Sequence, residues 1–374
     1  MIIKDEIHGT IQFDELERRI IDSPAFQRLR RIKQMSITNL VYPGANHTRF
    51  EHSLGTAHLA SVIARKVALP EDEVRKVKLY GLLHDIGHTA FSHEGEDVLK
   101  KYIGDHEKRG MLRITKGALA DIISENFDPR EIAGIGGSPH GAIVTSDLGA
   151  DRMDYLKRDA LNTGVAYGII DMDRIVHTLI IRDNRLCIGK GGFEAAEYLL
   201  VARFMMFSAV YMHRTVRIAT AMLYRAIEGS IEDGTLEPER FGEMDDEEAM
   251  AQMRRSEKGG VFADALLERK LYKEVSTLPK EGWSEAKCRK LGAEVSARLG
   301  KEVIVDYPHQ FFKPVELKVE IEGKLRPIIT LSKLVESLKS AEEDRMRILV
   351  LADEDVKEKE GAKISRLVAD AKRS

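Results

Sequence analysis

Apolar residues recur at helical spacing through most of residues 1–235. Between Glu51 and Val67 they follow a helical period, and a second such run begins after Pro70 and ends at Leu83. Ser23, followed by Pro24, is typical of a residue that caps the start of a helix. Further helices are predicted near Glu94–Tyr102, Lys108–Ile114, Gly117–Ser124, Asp151–Arg158, Asp173–His177 and Glu194–Ile227.

The spacing of apolar residues changes after His177, from a helical period to one typical of β-strands. Thr178–Ile181 and Arg185–Ile188 flank Asp183-Asn184, which predicts a β-hairpin. Residues 234–260 are acidic and polar, which indicates a domain boundary. Later strands are predicted at Glu302–Asp306, Val315–Ile321, Pro327–Leu331 and Ile348–Leu351. We therefore expect a mainly α fold, with a helical domain over residues 1–235 that carries the hairpin and a smaller mixed α/β region over 236–374 that ends in a charged tail.

Composition narrows the class of protein. The 374 residues carry 58 basic and 61 acidic side chains, a net charge of −3, so dominant nucleic-acid binding is not expected. No apolar stretch reaches the length of a membrane span. Two cysteines, Cys187 and Cys288, exclude a disulfide framework and a cysteine-based zinc site. These features predict a cytoplasmic protein with no membrane partner.

Histidines are distributed unevenly. Seven of the 12 lie in one stretch of the chain: His47, His52, His58, His84, His88, His93 and His106. Histidine is the commonest metal ligand and the usual acid or base near neutral pH. A chance cluster of polar histidines is the alternative, and His47 and His58 are interpreted in that way.

An ordered set of ligand-type residues runs through this stretch. His84-Asp85 follows an apolar run, and a buried charged pair is costly unless it is paired or metal-bound. His52 and Asp151 lie on separate predicted helices. The four residues form a mixed nitrogen and oxygen ligand set that suits Mn, Fe, Zn, Ni or Mg.

Helical spacing places further polar residues beside this set. Asp151, Tyr155 and Asp159 recur every four residues, so they share one face of a helix. His88 follows His84 at the same interval, and on a helix it projects from the same face.

The sequence resembles the HD-superfamily phosphohydrolases, whose signature is a His, then an adjacent His-Asp, then a distant Asp. Within that superfamily it is similar to the deoxynucleoside triphosphate triphosphohydrolase branch, and in particular to the dNTPase core of the sterile-alpha-motif/HD-domain protein. The resemblance covers residues 1 to about 275. It is carried by segments 21–30, 42–45, 48–55, 84–93, 151–159 and 269–273.

The resemblance implies a helical HD catalytic core and roles for its residues. The metal ligands would be His52, His84, Asp85 and Asp151. The catalytic group would be His88, His93 and His106 with Glu96, in which one histidine protonates the leaving oxygen. Our choice for that donor is His106, oriented by Glu96.

The substrate contacts also follow from the resemblance. Arg49, Arg152 and Arg203 would bind phosphates, which suits the planar donor fork of arginine. Gln34, Tyr155 and Asp159 would contact the sugar, Met35 the base, and Tyr211 would exclude a 2′-hydroxyl.

In the sterile-alpha-motif/HD-domain protein, an activating nucleotide binds between subunits. This sequence matches part of that site. The base contacts correspond to Asp22, Gln27 and Arg30, and Arg269 and Lys273 match a second site. A phosphate-binding lysine of the relative falls at Met1, so activation by GTP or a dNTP is left open. A homo-oligomer, dimer or tetramer, is expected.

The leading interpretation is a metal-dependent hydrolase of dNTPs that releases deoxynucleoside and tripolyphosphate. One alternative is an HD phosphohydrolase acting on another phosphate ester, such as a nucleoside monophosphate. Another is a nucleotide-responsive regulatory protein with a vestigial site. The three aligned arginines favour a longer phosphate chain, and the intact ligand set argues against a vestigial site.

Overall fold

The structure, a computed structural model, describes residues 1–308 and 315–371. Its strands are β1 (Ile2–Asp5), β2 (Gly9–Gln12), β3 (Leu179–Arg182), β4 (Arg185–Gly189), β5 (Lys273–Pro279), β6 (Val303–Asp306), β7 (Lys318–Ile321), β8 (Lys324–Pro327) and β9 (Arg347–Ala352). Its first helices are α1 (Glu15–Ile21), α2 (Pro24–Gln27), α3 (Arg49–Lys66), α4 (Glu71–Leu83), α5 (Ser92–Ile103), α6 (His106–Thr115), α7 (Ala118–Ser124), α8 (Pro129–Gly134), α9 (Ala142–Thr145), α10 (Ala150–Thr163) and α11 (Met172–Thr178). The later helices are α12 (Phe193–Met206), α13 (Arg214–Glu232), α14 (Pro238–Phe241), α15 (Asp246–Met253), α16 (Gly260–Leu267), α17 (Glu285–Leu299), α18 (Lys333–Arg345) and α19 (Glu354–Ala371).

The mainly helical fold is confirmed, and so is the hairpin. Strands β3 and β4 pair antiparallel, and both turn residues, Asp183 and Asn184, have positive φ, as a two-residue hairpin requires. Ser23 caps α2 as predicted, with its hydroxyl accepting from the N–H of Phe26. Part of the predicted accessory region, residues 309–314, and the last three residues of the charged tail lie outside the described residues.

Two sequence predictions of secondary structure are wrong. The helix predicted over Glu194–Ile227 is interrupted, because α12 ends at Met206, a π-helical turn follows over Phe207–Tyr211, and the His213 side chain caps a new helix. The strand predicted at Pro327–Leu331 is shifted: β8 ends at Pro327. Positive φ at Glu322 and Gly323 places the β7–β8 turn there and sets the start of β8. Strand β5 was not predicted.

Contacts group the chain into two compact units. The first contains Met1–Met206, Glu237–Ala251 and Pro314–Leu338, and the second contains Phe207–Leu236, Gln252–Lys313 and Lys339–Ser374. The division of the chain at residue 235 stays a prediction.

In the first unit, α3 packs against both α4 and α10. Apolar residues of β2 and of helices α1 to α4 and α6 to α8 form a continuous buried core around this packing. A four-stranded sheet in the order β3-β4-β7-β8 extends the predicted hairpin, with β4 and β7 parallel. The β1–β2 ladder is separate from that sheet.

A buried arginine ties segment 237–251 to the rest of the first unit. The guanidinium of Arg28 donates to the backbone carbonyls of Gly242, Glu243 and Met244, and also to that of His88. Since a buried charged donor needs acceptors, these four bonds fix the segment against the loop that contains His88.

The second unit is built on the three-stranded antiparallel sheet β5-β9-β6. Apolar residues of α17 and α19 pack with those of the sheet into a second buried core. Across the described ranges, no single helix is long and apolar enough to cross a membrane, although the interrupted pair Lys190–Tyr211 and Arg214–Glu232 meets that criterion by length and composition.

Candidate metal centre and active site

Three helices bring the four predicted metal ligands together. His52 lies within α3, which begins with a capping box formed by Thr48 and Glu51. His84 is the residue after the last turn of α4, and Asp85 follows it. Asp151 lies in the first turn of α10. Because α3 packs against both α4 and α10, the four side chains converge.

Hydrogen bonds fix which nitrogen of each histidine faces the other ligands. His52 Nδ1 lies 2.8 Å from an Asp154 oxygen, and His84 Nδ1 lies 2.8 Å from the carbonyl oxygen of Gly81. Carboxylate and carbonyl oxygens only accept, so both Nδ1 atoms carry the proton. Each Nε2 therefore faces the other ligands, and in His52 this atom also lies at hydrogen-bond distance from Asp151 Oδ1.

The two Nε2 atoms face carboxylate oxygens. His52 Nε2 lies 3.1 Å from Asp151 Oδ1 and 3.6 Å from Asp85 Oδ2. His84 Nε2 lies 3.3 Å from Asp85 Oδ1 and 3.8 Å from Asp151 Oδ1. Two carboxylates thus face the two Nε2 atoms. Burial lowers the pKa of His52, but its hydrogen bonds to Asp151 and Asp154 raise it to about 10, so the centre favours a positive charge, carried by a second proton on His52 or by a metal ion.

The donor set fits a divalent metal ion. His84 Nε2 is buried and has no hydrogen-bond partner among the described residues. The ligand atoms of His52, His84 and Asp85 lie within 4.8 Å of one another. Each histidine donates Nδ1–H to an oxygen and has carboxylates near Nε2. Histidines that bind metal ions in proteins are usually oriented by such a hydrogen bond from the other ring nitrogen.

Three further histidines lie next to this set. The rings of His88 and His106 stack with centroids 4.1 Å apart, and His93 meets both edge-on. His88 Nε2 lies 3.3 Å from Asp85 Oδ1, which joins the two groups. His88 is buried, whereas His93 is exposed.

The expectation that His84 and His88 share a helical face is wrong. Helix α4 ends at Leu83. His88 lies in the turn that follows, where its backbone N–H donates to the carbonyl of Asp85. The turn lies close to α6, since a Cβ on Gly87 would stand 2.0 Å from the carbonyl oxygen of His106. The two histidines are neighbours because both contact Asp85.

His106 and His88 differ in their affinity for protons. Burial lowers the pKa of His106, but the 2.7 Å hydrogen bond to Glu96 and the negative charges of Glu96 and Asp85 together outweigh this effect, and the pKa lies above its ordinary value. Burial, together with the charge of Arg49, holds the pKa of His88 well below its ordinary value. Of this stacked pair, His106 therefore carries the proton more readily.

Two predicted phosphate-binding residues converge on one carboxylate. Arg152 pairs with Asp147, and Arg203 Nη1 lies 3.3 Å from the same carboxylate. The other oxygen of Asp147 accepts the N–H of Glu316. The guanidinium groups of Arg152 and Arg203 are therefore adjacent.

Arg49 contacts one metal ligand, and Tyr155 lies one helical turn after another. Arg49 is buried, with Nη1 2.6 Å from Asp85 Oδ2 and Nε donating to the hydroxyl of Ser92. Burial raises the pKa of Asp85, but the charges of Arg49, His84 and His88 together hold it well below its ordinary value. Tyr155 is half-buried on the same helix as Asp151.

The remaining sugar and base contacts lie on two segments. Gln34 and Met35 precede α3, and Met35 is buried. Asp159 is buried on α10 and bonds to His47.

The predicted nucleotide-binding positions divide between the units. Asp22, Gln27 and Arg30 lie together near α2, where Arg30 Nε donates to Gln27 and the guanidinium stacks on Phe50. Residues of the second unit are Tyr211, Arg269 and Lys273. Their roles stay predictions.

Sequence reasoning missed Asp154, which positions His52. The carboxylate of Asp154 contacts His52, His8 and Arg158. A Cβ on Gly55 of α3 would stand 2.0 Å from Asp154 Oδ1, so the glycine permits this approach. The signal was available, since Asp154 lies one helical turn after Asp151.

Geometry of this kind, with two histidines and two aspartates from three helices, defines a metal-dependent hydrolase centre of the His-Asp type. The family model of the HD domain matches residues 49–159, and that of the HD-associated region matches residues 170–370. The chain belongs to the HD-domain family of phosphohydrolases. HD domains bind divalent metal ions, and this cluster can hold one.

Similar proteins span most of the chain. The uncharacterized protein MJ1154 of Methanocaldococcus jannaschii is 38% identical over 372 residues, 95% of this chain and 79% of its own length. A deoxynucleoside triphosphate triphosphohydrolase SAMHD1 homolog of Dictyostelium discoideum is 28% identical over 66% of this chain and 51% of its own length. The crystal structure of a phosphohydrolase from Bacteroides thetaiotaomicron matches with a TM-score of 0.77 and 25% identity, over 94% of this chain and 99% of that one.

Proposed function

We propose that this phosphohydrolase acts on deoxynucleoside triphosphates and cleaves at the α-phosphorus to release deoxynucleoside and tripolyphosphate. The observation that carries the proposal is the hydrogen-bonded pair His106–Glu96 beside the metal ligands. The leaving group of this reaction is the sugar 5′-alkoxide, which is poor unless it is protonated. His106 carries a proton more readily than the buried His88 on which it stacks, so it suits the role of donor.

The adjacent arginines support a substrate with several phosphates. Arg152 and Arg203 meet at Asp147, which holds both guanidinium groups in place. A monophosphate would need fewer such donors. The Dictyostelium relative is named as a deoxynucleoside triphosphate triphosphohydrolase homolog, which supports the same substrate class.

Each residue has a distinct task in this proposal. A divalent ion, when bound by His52, His84, Asp85 and Asp151, neutralises phosphate charge and lowers the pKa of water. Arg152 and Arg203 hold the phosphates. Glu96 orients His106, which donates its proton to the 5′-oxygen.

Incubation of the metal-loaded protein with each of the four dNTPs tests the proposal, with anion-exchange chromatography of the products. We expect deoxynucleoside and tripolyphosphate from at least one dNTP, and neither from an Asp151→Asn variant. Release of a nucleoside monophosphate with pyrophosphate would contradict the proposed bond. Hydrolysis of nucleoside monophosphates alone would favour the alternative phosphohydrolase.

We also propose a cytoplasmic homo-oligomer, dimer or tetramer, with a catalytic domain over residues 1–235 and an accessory region after it. The matched inter-subunit positions support the oligomer. Light scattering with and without nucleotide tests it, and a monomer under both conditions would contradict it.

A further inference from the structure

The carboxylate of Asp154 accepts four hydrogen bonds from the described residues. Arg158 donates to both oxygens, from Nε and from Nη2, at 2.9 Å each. Oδ2 also lies 2.8 Å from Nδ1 of the metal ligand His52, and Oδ1 lies 2.7 Å from Nε2 of His8. A carboxylate has about four acceptor positions, so these contacts fill its capacity and fix its orientation.

Asp154 is buried and ionised. Burial raises its pKa, but the charge of Arg158 and the hydrogen bonds from that arginine and from the two histidines hold the pKa well below its ordinary value. An ionised carboxylate only accepts, so His8 Nε2 and His52 Nδ1 both donate to it. His8 therefore holds one oxygen of the carboxylate, and the other oxygen holds His52.

The turn between β1 and β2 fixes His8 in this position. The backbone N–H of His8 donates to Asp5 Oδ1 at 2.9 Å, and Asp5 Oδ2 lies 3.0 Å from Arg158 Nη2. The side chain of His8 is 3% exposed. The N-terminal hairpin is thus joined to α10 by two contacts, and it presents the His8 ring to Asp154.

Arg158 does not replace His8 at this carboxylate. Its Nη2 atom is shared between Asp154 Oδ1 and Asp5 Oδ2, whereas His8 Nε2 donates to Oδ1 alone among the described residues. Without His8, Oδ1 would keep one partner and a buried acceptor position would be vacant, which is costly. The carboxylate would then be free to turn, and the ring of His52 would lose a fixed partner.

We propose that His8 is a positioning residue for the metal centre. It fixes the carboxylate of Asp154, which in turn fixes the ring of His52 with Nε2 toward the other ligands. Hydrogen bonds to the second ring nitrogen of a metal-binding histidine set its orientation and its basicity. The proposal concerns the metal centre and holds whichever phosphate ester the protein hydrolyses.

Calorimetric titration of the chelator-treated, metal-free protein with Mn²⁺ tests the proposal without recourse to activity. We expect His8→Phe to weaken Mn²⁺ binding by about 10- to 100-fold, the usual cost of losing such an outer partner. Wild-type affinity in this variant would overturn the proposal. Failure of the wild type to bind Mn²⁺ would overturn the metal assignment, and the role of His8 with it.

A pair of amide variants separates positioning from packing. The amide nitrogen of His8→Gln can stand where Nε2 stands, so this variant should retain most of the affinity. His8→Asn carries the same amide on a shorter side chain that does not reach Asp154, and it should lose affinity as His8→Phe does. Equal affinities in the two amide variants would overturn the proposal.

Two further variants serve as controls. Ile11→Ala removes buried apolar contacts from the same hairpin, and it should lower the midpoint of urea unfolding yet bind Mn²⁺ as the wild type does. A loss of affinity in Ile11→Ala equal to that in His8→Phe would show that binding follows the stability of the hairpin, and would overturn the proposal. His177→Phe makes the same replacement at an exposed position of α11 and should leave the affinity unchanged.

Discussion

The carboxylate of Asp246 accepts a hydrogen bond from the backbone N–H of Phe91 at 2.7 Å. Phe91 and Ser92 both adopt the left-handed backbone conformation, with φ of 60° and 54°. Such positions cost free energy in residues other than glycine and persist only where the surroundings enforce them. These two residues lie between His88 and His93, so Asp246 holds the conformation of the segment that positions both histidines.

Loss of this carboxylate should destabilise the protein. Asp246 is buried and also accepts the N–H of Lys33, so Asp246→Ala leaves two buried donors unpaired. We expect the free energy of unfolding to fall by about 2–4 kcal/mol, measured by urea denaturation. Glu247→Ala, at an exposed neighbouring position, serves as the control and should change it by less than about 0.5 kcal/mol.

Asp246 should also make stability depend on pH. Burial raises the pKa of Asp246 to about 6, although the N–H groups of Phe91 and Lys33 lower it. An unfolded aspartate titrates near pH ~4, so the folded protein binds this proton more readily than the unfolded chain. Protonated Asp246 therefore makes its full contribution to the stability of the fold below about pH 4, and that contribution is lost as the pH rises through about 6.

Asp246→Asn removes this titration. Relative to the wild type, the variant should gain about 2–3 kcal/mol of stability between about pH 4 and about pH 7. Urea unfolding of both proteins at a series of pH values measures the difference. A difference that stays constant with pH would contradict the pKa of Asp246.

Metal content should depend on the four converging side chains. Asp85→Asn keeps the shape of the side chain but removes the charge that faces His52 and His84. We expect about one divalent ion per chain in the native protein and a loss of most of it in the variant, measured by elemental analysis. Asp72→Asn, an exposed change in the first turn of α4, should retain the metal. Equal metal content in all three proteins would remove the assignment of the ligands.

Activity should depend on His106 without a change in metal content. His106→Ala removes the proposed proton donor, so turnover should fall by about 10²–10⁴-fold. Glu96→Gln should have a smaller effect, because it weakens the orientation of His106 and leaves the donor in place. Variants that keep wild-type turnover would exclude both residues from the reaction.

Much of the fold could be predicted because its signals are local. Apolar spacing predicted α3 and α4, and the two turn residues Asp183 and Asn184 predicted the β3–β4 hairpin. The end of α12 at Met206 could not be found in this way. No proline or glycine lies around it to mark an end, and the break depends on π-helical bonding and on a cap by His213.

The ligand set could be predicted because its four residues lie at helix ends in a fixed order along the chain. Contacts between segments that are distant along the chain leave no such pattern in the sequence. The bond from Phe91 to Asp246 joins residues of two segments that share no periodicity, and the same holds for His47 and Asp159. A buried position for His47 follows only from the packing of α10 against α3.

Hydrolysis of a dNTP in ¹⁸O-labelled water tests the central claim most directly, because it locates the bond that breaks. If water attacks the α-phosphorus and the 5′-oxygen leaves, mass spectrometry should find the label in the α-phosphate of tripolyphosphate and none in the deoxynucleoside. Label in the 5′-hydroxyl, or a nucleoside monophosphate with pyrophosphate as products, would contradict the account.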